Sequence, residues 1–336
     1  MKRIGYLFDK IIDMDNLRLA DRKARKGKGH TKGVRQFDKD PERLLDELQQ
    51  MLIRGEYRTS KYHIFKIYDP KERDIYRLPY YPDRIVHHAI LNVLEPVYMR
   101  QFTRDTYSCI KGRGLHACAK AVKKMLKDTD GTRYCLKLDI RKYYPNIDHE
   151  TLKAMHRRII KDERVLSMLD EIIDSTEGGK GIPIGNYLTQ FFANFYLSTF
   201  DHWIKETLRV KYYVRYADDI VVFASNKEYL HWVFGIIKAK LSELKLEVKG
   251  NWQIFPIDKR GLDFIGYVFY HTHVKLRKST KQNLARTLAR LNRRGKRVTE
   301  RYYRMAVAAW WGWLKYCDSR HLIRTLSVNS TYSITF

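Results

Sequence analysis

Cysteine is scarce in this chain of 336 residues, which has only Cys109, Cys118, Cys135 and Cys317. No two of them make a CxxC pair and no paired histidines lie nearby. This spacing argues against a zinc module or a disulfide framework and favours free thiols in a reducing, cytosol-like compartment. Long apolar runs are missing too. No 18 apolar residues follow one another, and the start, MKRIGYLFDKIIDMD, has no extended apolar segment. Neither a membrane span nor a secretory signal is therefore expected. Internal repeats and low-complexity linkers are absent. Acidic residues are in deficit, 38 Asp and Glu against 65 Lys and Arg, for a net charge of +27. That balance excludes an acidic disordered scaffold, argues against a neutral small-molecule enzyme and makes a polyanion the default partner. A ribosome-like or membrane-surface basic protein is the alternative on charge alone. Hydrophobic residues make up 44% of the chain, enough for real cores. The length suggests two or three structural units.

Local signals outline the elements. Residues 20–36 form a basic, glycine-punctuated stretch, read either as a solvated loop or as a phosphate-contacting arm. Asp40 and Pro41 stand as N-cap and first residue of a helix with Leu44, Leu48, Met51 and Leu52 on its apolar side. Strands are expected at 62–68 and in the extended run 73–80. A buried helix over 83–99 ends near Glu95-Pro96, with His87 and His88 packed or at the surface rather than ligating. A basic loop at 107–114 precedes a helix at 115–127. Then come a strand at 134–140, a helix capped by Asp148, a glycine loop at 178–181, and one long apolar helix over 186–206. Two short strands over 211–223, a helix over 227–244 and strands at 246–248, 252–256 and 264–270 follow. From 279 onward the chain is helical and strongly basic. The fold class is α+β, with a sheet covered by helices on one face.

The chemistry gathers at carboxylates. Tyr216-Ala217-Asp218-Asp219 lies between apolar strands and reads as the tip of a buried hairpin. Turns often hold Asp for local capping, but an apolar hairpin must present such charges into a cleft or pair them. Asp139 ends the strand 134–140. A carboxylate there can meet those of an adjacent hairpin and complete a set of hard oxygen ligands for Mg²⁺. Two ions roughly 3.5–4 Å apart would serve nucleotidyl transfer to a 3′-hydroxyl.

The sequence resembles the reverse transcriptases over about residues 35–320. LDIRKYYPNID (138–148) looks like their first palm motif and YADD (216–219) like their signature hairpin. GIPIGNYLTQFFANFYL (181–197) looks like the helix motif between them, and LEVKGNWQIFPIDKRGLDFIGYVF (246–269) like the two motifs that close the palm. The resemblance implies a right-hand polymerase: a basic extension over 1–36, fingers over 37–133, an antiparallel palm sheet within 134–274 and a basic helical thumb over 275–336. It implies that Asp139, Asp218 and Asp219, with the Ile140 carbonyl, hold two Mg²⁺ ions, for which Mn²⁺ would be a substitute. Tyr144 would be the steric gate against a ribose 2′-hydroxyl. Arg73 and, more loosely, Lys71 would contact the triphosphate, and Lys249 would lie near the leaving pyrophosphate. Lys111, Arg113, Arg290 and Arg294 would bind nucleic acid. Trp310, Trp311 and Trp313 would be thumb core.

IGNYLTQ (184–190) narrows the resemblance. Ile184-Gly185 stands where retroviral and group II intron enzymes usually carry Gln-Gly, and the IGN…SQ pattern is typical of diversity-generating retroelements. Here Thr189 replaces the Ser and keeps its hydroxyl. KARKGKG (23–29), YDPKERDIY (68–76), PDRIVHHAI (82–90), SCIKGRGLHA (108–117) and WWGWLKYCDS (310–319) look like the same group. The resemblance implies low fidelity opposite template adenines, with Ile184, Gly185 and Gln190 at the template and fidelity site. The implied partners are template RNA, the RNA/DNA duplex, dNTPs and a small basic accessory protein. The implied location is the cytoplasm of a bacterium or phage-infected host. A retron or antiphage-defence reverse transcriptase, and a catalytically silent RNA-binding protein of polymerase fold, remain alternatives. An RNA-dependent RNA polymerase is disfavoured by Tyr144.

Overall fold

The structure is a computed structural model and describes residues 3–68, 72–294 and 297–327. It is a mixed α+β fold in which the chain divides into two units, neither continuous in sequence. The first comprises residues 1–106, 140–209 and 237–249; the second comprises 107–139, 210–236 and 250–336. Among the described residues no helix is long and apolar enough to cross a membrane.

The first unit is built around helix Ile85–Met99, which buries Ile85, Val86, Ala89, Ile90, Leu91, Leu94, Val97 and Tyr98. It runs through Pro96 instead of stopping there. An interior proline costs about 3 kcal/mol, and burial of Val97 and Tyr98 beyond it outweighs that cost. His87 is a packed side chain, 2% exposed, and burial first of all pushes it down to about 3. His88 stacks on Tyr187 at 5.2 Å. Of the basic stretch 20–36, residues 25–30 are turns, exposed over 26–30 as the loop reading has it, and the flanks are helical. Helices Phe8–Ile12, Met14–Ala24 and Lys32–Phe37 bury Phe8, Ile11, Leu17, Ala20, Ala24, Val34 and Phe37 in this unit. Helix Pro41–Ile53 starts where Asp40-Pro41 places it, but Asp40 makes no side-chain cap. Its carboxylate accepts instead from Arg43 at 2.7 Å. Asp148 does cap helix His149–Ile159, accepting from Thr151 N–H at 2.9 Å.

Strands β1 (His63–Ile67) and β2 (Arg73–Arg77) pair antiparallel in this unit. The single long helix expected over 186–206 is three segments: Tyr187–Tyr196, Ser198–His202 and a π-helical turn at Trp203–Thr207. Leu197 leaves the helical region (φ −92°, ψ 1°), and Ser198 Oγ satisfies the Phe195 carbonyl at 2.7 Å. Residues 246–248 form no strand; Val248 makes one isolated bridge, to Ile140.

The second unit holds a five-stranded sheet in the order β3-β5-β6-β4-β7. Its strands are β3 (Thr106–Tyr107), β4 (Tyr134–Asp139), β5 (Tyr212–Tyr216), β6 (Asp219–Ala224) and β7 (Gln253–Pro256). β6 is antiparallel to both β4 and β5, and β4 is antiparallel to β7. Cys135, Val214, Val221 and Phe223 of the sheet share one core with Cys118, Ala119, Val122 and Leu126 from helix Leu115–Met125 and its end. A second sheet joins β8 (Leu262–Phe264), β9 (Tyr267–Phe269) and β10 (Val274–Leu276). Helices Lys278–Arg294, Glu300–Leu314 and Arg320–Ser327 follow. Leu284, Leu288 and Leu291 are buried at helical spacing. Trp313 packs on Tyr267, whose hydroxyl donates to the Trp313 carbonyl at 3.0 Å. Trp311 departs from the core expectation. It is 39% exposed, at the edge of the helix face that buries Tyr303, Val307 and Leu314.

Candidate active site

The site starts from strand register. Asp139, the last residue of β4, is the direct cross-strand partner of Asp219, the first residue of β6. Asp219 also pairs with Tyr216 of β5, so Ala217 and Asp218 are the two-residue turn of the β5–β6 hairpin. Cross-strand neighbours on one face lie about 4.5–5.5 Å apart at Cβ. Asp139 and the adjacent pair Asp218-Asp219, some eighty residues on, thus share one end of the sheet. Loss of water first, then the charges of Asp139 and Asp219, push the Asp218 carboxyl up to about 7.

The turn is held in a costly shape. Ala217 has φ +54°, a conformation that costs an L-residue roughly 1–2 kcal/mol. Two contacts fix it. Tyr107 C=O accepts from Ala217 N–H at 3.2 Å, and Arg215 Nη1 donates to the Ala217 carbonyl at 2.8 Å. Arg215 is 0% exposed, the largest fully buried side chain among the described residues.

Among the described residues no group of three or more His, Cys, Asp or Glu side chains is arranged as a metal site. Mg²⁺ binds through one or two carboxylates with water and substrate phosphates rather than in an all-protein cage. The crowding that raises Asp218 is the condition a cation relieves, so the donor set fits a hard divalent ion.

The nucleotide-side candidates gather in the first unit. Tyr144, half-buried, lies in the short helix Tyr143–Asn146 beside buried Tyr143, whose hydroxyl donates to the Ala193 carbonyl. The Tyr144 carbonyl accepts from Ile182 N–H at 3.0 Å, and the Ile184 carbonyl accepts from Tyr76 N–H of β2 at 2.8 Å. Gly185 has φ +116°; a Cβ there would lie 3.0 Å from Ile75 Cγ2 and 3.3 Å from the Tyr76 carbonyl oxygen. Only glycine fits this approach of loop to strand. Thr189, on helix Tyr187–Tyr196, closes the loop by donating to the carbonyls of Pro183 at 2.8 Å and Asn186 at 3.0 Å. Gln190 is half-buried on the same helix, and Arg73 opens β2 with an exposed side chain. Tyr144, Arg73, Ile184 and Gly185 are thereby tied through main-chain bonds into one substructure.

A sequence model of the family described as reverse transcriptase (RNA-dependent DNA polymerase) matches residues 70–269. The chain belongs to the reverse transcriptases. It is similar to protein YkfC of Escherichia coli K12, 27% identical over 245 residues, or 68% of this chain and 60% of that protein. It is similar to the group II intron-encoded protein LtrA of Lactococcus lactis subsp. cremoris, 25% identical over 195 residues, or 54% of this chain and 32% of LtrA. It is also similar to nuclear intron maturase 4, mitochondrial, of Arabidopsis thaliana, 23% identical over 167 residues, or 47% of this chain and 21% of that one. The chain therefore spans less than two thirds of these relatives.

The remaining candidates of this reverse transcriptase are dispersed. Ile140 is 1% exposed and bridges Val248, while Arg141 N–H donates to the Glu247 carbonyl at 2.8 Å. Lys249 follows that bridge and is half-buried. Lys111 and Arg113 belong to the second unit, in the turn where Arg113 C=O accepts from Ser108 N–H at 3.0 Å. Arg290 and Arg294 are exposed on helix Lys278–Arg294, with Arg286 and Arg293 on the same side. Lys71 lies outside the described residues.

Two features escaped the sequence reading. Arg215 reads as an ordinary alternating strand residue, and only register shows it beneath the acidic turn. Lys28, Arg77 and Arg84 crowd together in the first unit: Arg84 first, then burial, then Arg77 hold the Lys28 ammonium below its ordinary range. Their spacing along the chain carries no signal for this.

Proposed function

We propose that this protein is an RNA-directed DNA polymerase of the diversity-generating retroelement type, copying a template RNA into cDNA with errors at template adenines. The pairing of Asp139 with Asp219, with Asp218 in the adjoining turn, carries the reading. In this reading the five-stranded sheet is the palm, residues 37–133 supply the fingers and residues 275–336 the thumb. Asp139, Asp218 and Asp219, with the Ile140 carbonyl, would hold Mg²⁺ or Mn²⁺. Bound there, two such ions supply Lewis-acid stabilisation of the attacking 3′-hydroxyl and of the leaving pyrophosphate. Arg73 and Lys71 bind the triphosphate, a guanidinium fork suiting phosphate oxygens. Lys249 stands by the pyrophosphate. Tyr144 crowds a 2′-hydroxyl and so selects dNTPs. Arg290 and Arg294, with Lys111 and Arg113, hold template and duplex.

The subtype rests on Ile184-Gly185. A side chain with only shape and dispersion to offer discriminates less than one that hydrogen-bonds. Part of the exposed basic surface would take a small basic accessory protein through the nucleic acid that both hold. The similarity to LtrA and to an intron maturase supports a second reading, an intron-type or retron-type reverse transcriptase that shares the chemistry without the mutagenic role.

Primer extension on RNA, followed by sequencing of the products, tests both parts. Wild type extends with dNTPs and not rNTPs, and Asp218→Asn loses at least about a hundredfold in rate. Equal cDNA yield from the two would indicate a silent RNA-binding protein. Ile184→Gln lowers misincorporation opposite adenine; an unchanged error spectrum removes the subtype assignment.

A further inference from the structure

The loop carrying Ile184 and Gly185 is gripped from behind by a histidine to which the reading above gives no part. His149 is the first residue of its helix and 1% exposed. Its Nδ1 lies 3.1 Å from Asp174 Oδ1 and its Nε2 lies 2.7 Å from the Gly181 carbonyl oxygen. The Gly181 carbonyl only accepts, so Nε2 is the donor of that bond, and Thr176 Oγ1 lies 3.3 Å from the same nitrogen. The same Gly181 carbonyl accepts from Thr176 Oγ1 at 2.6 Å, and Asp174 Oδ2 is 2.6 Å from Lys153 Nζ. Main-chain bonds continue the grip: His149 N–H to the Gly179 carbonyl at 3.1 Å, and Gly181 N–H to the Ile147 carbonyl at 2.7 Å. Such tethering answers a need. Gly178, Gly179 and Gly181 all have positive φ (90°, 68° and 91°), and a segment this rich in glycine has many other conformations open to it.

We infer that His149 is a positioning residue: with Asp174 and Thr176 it clamps the Gly181 carbonyl, and so sets where residues 182–185 lie against Tyr144 and β2. It acts through Gly181, one residue before the Ile182 N–H that bonds Tyr144. The inference rests on the nucleotide-pocket reading and deepens it. Part of the pocket's selectivity for dNTPs is assigned to a hydrogen-bond set outside the pocket, centred on a buried histidine.

The test uses the full chain with His149→Phe, Asp174→Asn and Thr176→Val, each checked for folding by thermal unfolding. Hydrogen exchange at residues 179–185 reads the clamp without a polymerase assay, and His149→Phe speeds it about tenfold or more. In primer extension the KM for dNTP rises about five- to tenfold while kcat changes less than about twofold, and discrimination against rNTPs falls. Thr176→Val, which leaves one of two donors on Gly181, shows a smaller rise in exchange and KM. Unchanged exchange in folded His149→Phe overturns the clamp. So does a loss confined to kcat. Should His149→Phe not fold, unchanged exchange in both Asp174→Asn and Thr176→Val overturns it equally. If exchange accelerates but wild type extends no primer on RNA, the clamp stands and the polymerase reading fails.

Discussion

Asp218 illustrates how much a single side chain here depends on its neighbours. Its folded carboxyl titrates near 7 because burial and two like charges oppose ionisation. A raised carboxyl contributes stability that is fully present below its unfolded value, near 4, and is lost as pH rises through about 7. Asn imitates the neutral acid and escapes that loss. Without divalent cations, Asp218→Asn is therefore expected to be more stable than wild type by on the order of 1–3 kcal/mol at pH 8, and near wild type at pH 4. Denaturant midpoints at the two pH values measure the difference; a gain that does not grow with pH would contradict the crowding argument. Ala217 supplies a second case. At φ +54° a glycine is the less strained residue, so Ala217→Gly should raise stability by up to about 1 kcal/mol, the relief of strain less the added chain entropy. Thermal unfolding reads this directly.

Loops and strands, more than isolated residues, define the proposed nucleotide side. β2 and the loop 181–185 meet through the Tyr76–Ile184 bond, and the absence of a Cβ at Gly185 permits the approach. Gly185→Ala is expected to push the loop off β2 and to raise the KM for dNTP about tenfold with a modest loss of global stability. Steady-state extension kinetics beside a melting curve separate the two effects. The elements also show where local signals mislead. Pro96 marks a helix end by its own chemistry, yet burial on both sides carries the helix to Met99. Asp40 has the residue type of a cap, but the nearby Arg43 captures its carboxylate. In the stretch 20–36 Gly27 and Gly29 do sit in exposed turns, and only the flanks, with Ala20, Ala24 and Val34 buried, fold into helices.

At the scale of the whole molecule, a net charge of +27 predicts steep salt dependence of RNA binding. Exchanging Arg290 or Arg294 for Ala should lower the slope of log K against log salt by about 1 for each phosphate that is no longer neutralised. Fluorescence anisotropy at several salt concentrations checks it, and an unchanged slope would show that those two side chains do not touch the nucleic-acid backbone. Composition, the order of motifs and the alternation of apolar residues were enough to reach the α+β class and the reverse transcriptase family and to single out the three carboxylates as candidates, because each depends on residue type and near-neighbour spacing. The meeting of Asp139 with Asp219 depends on the register of strands some eighty residues apart. The same holds for the Lys28–Arg77–Arg84 cluster and the grip of His149 on Gly181. Such contacts are made by chain closure over long separations, and no local pattern along the chain encodes them.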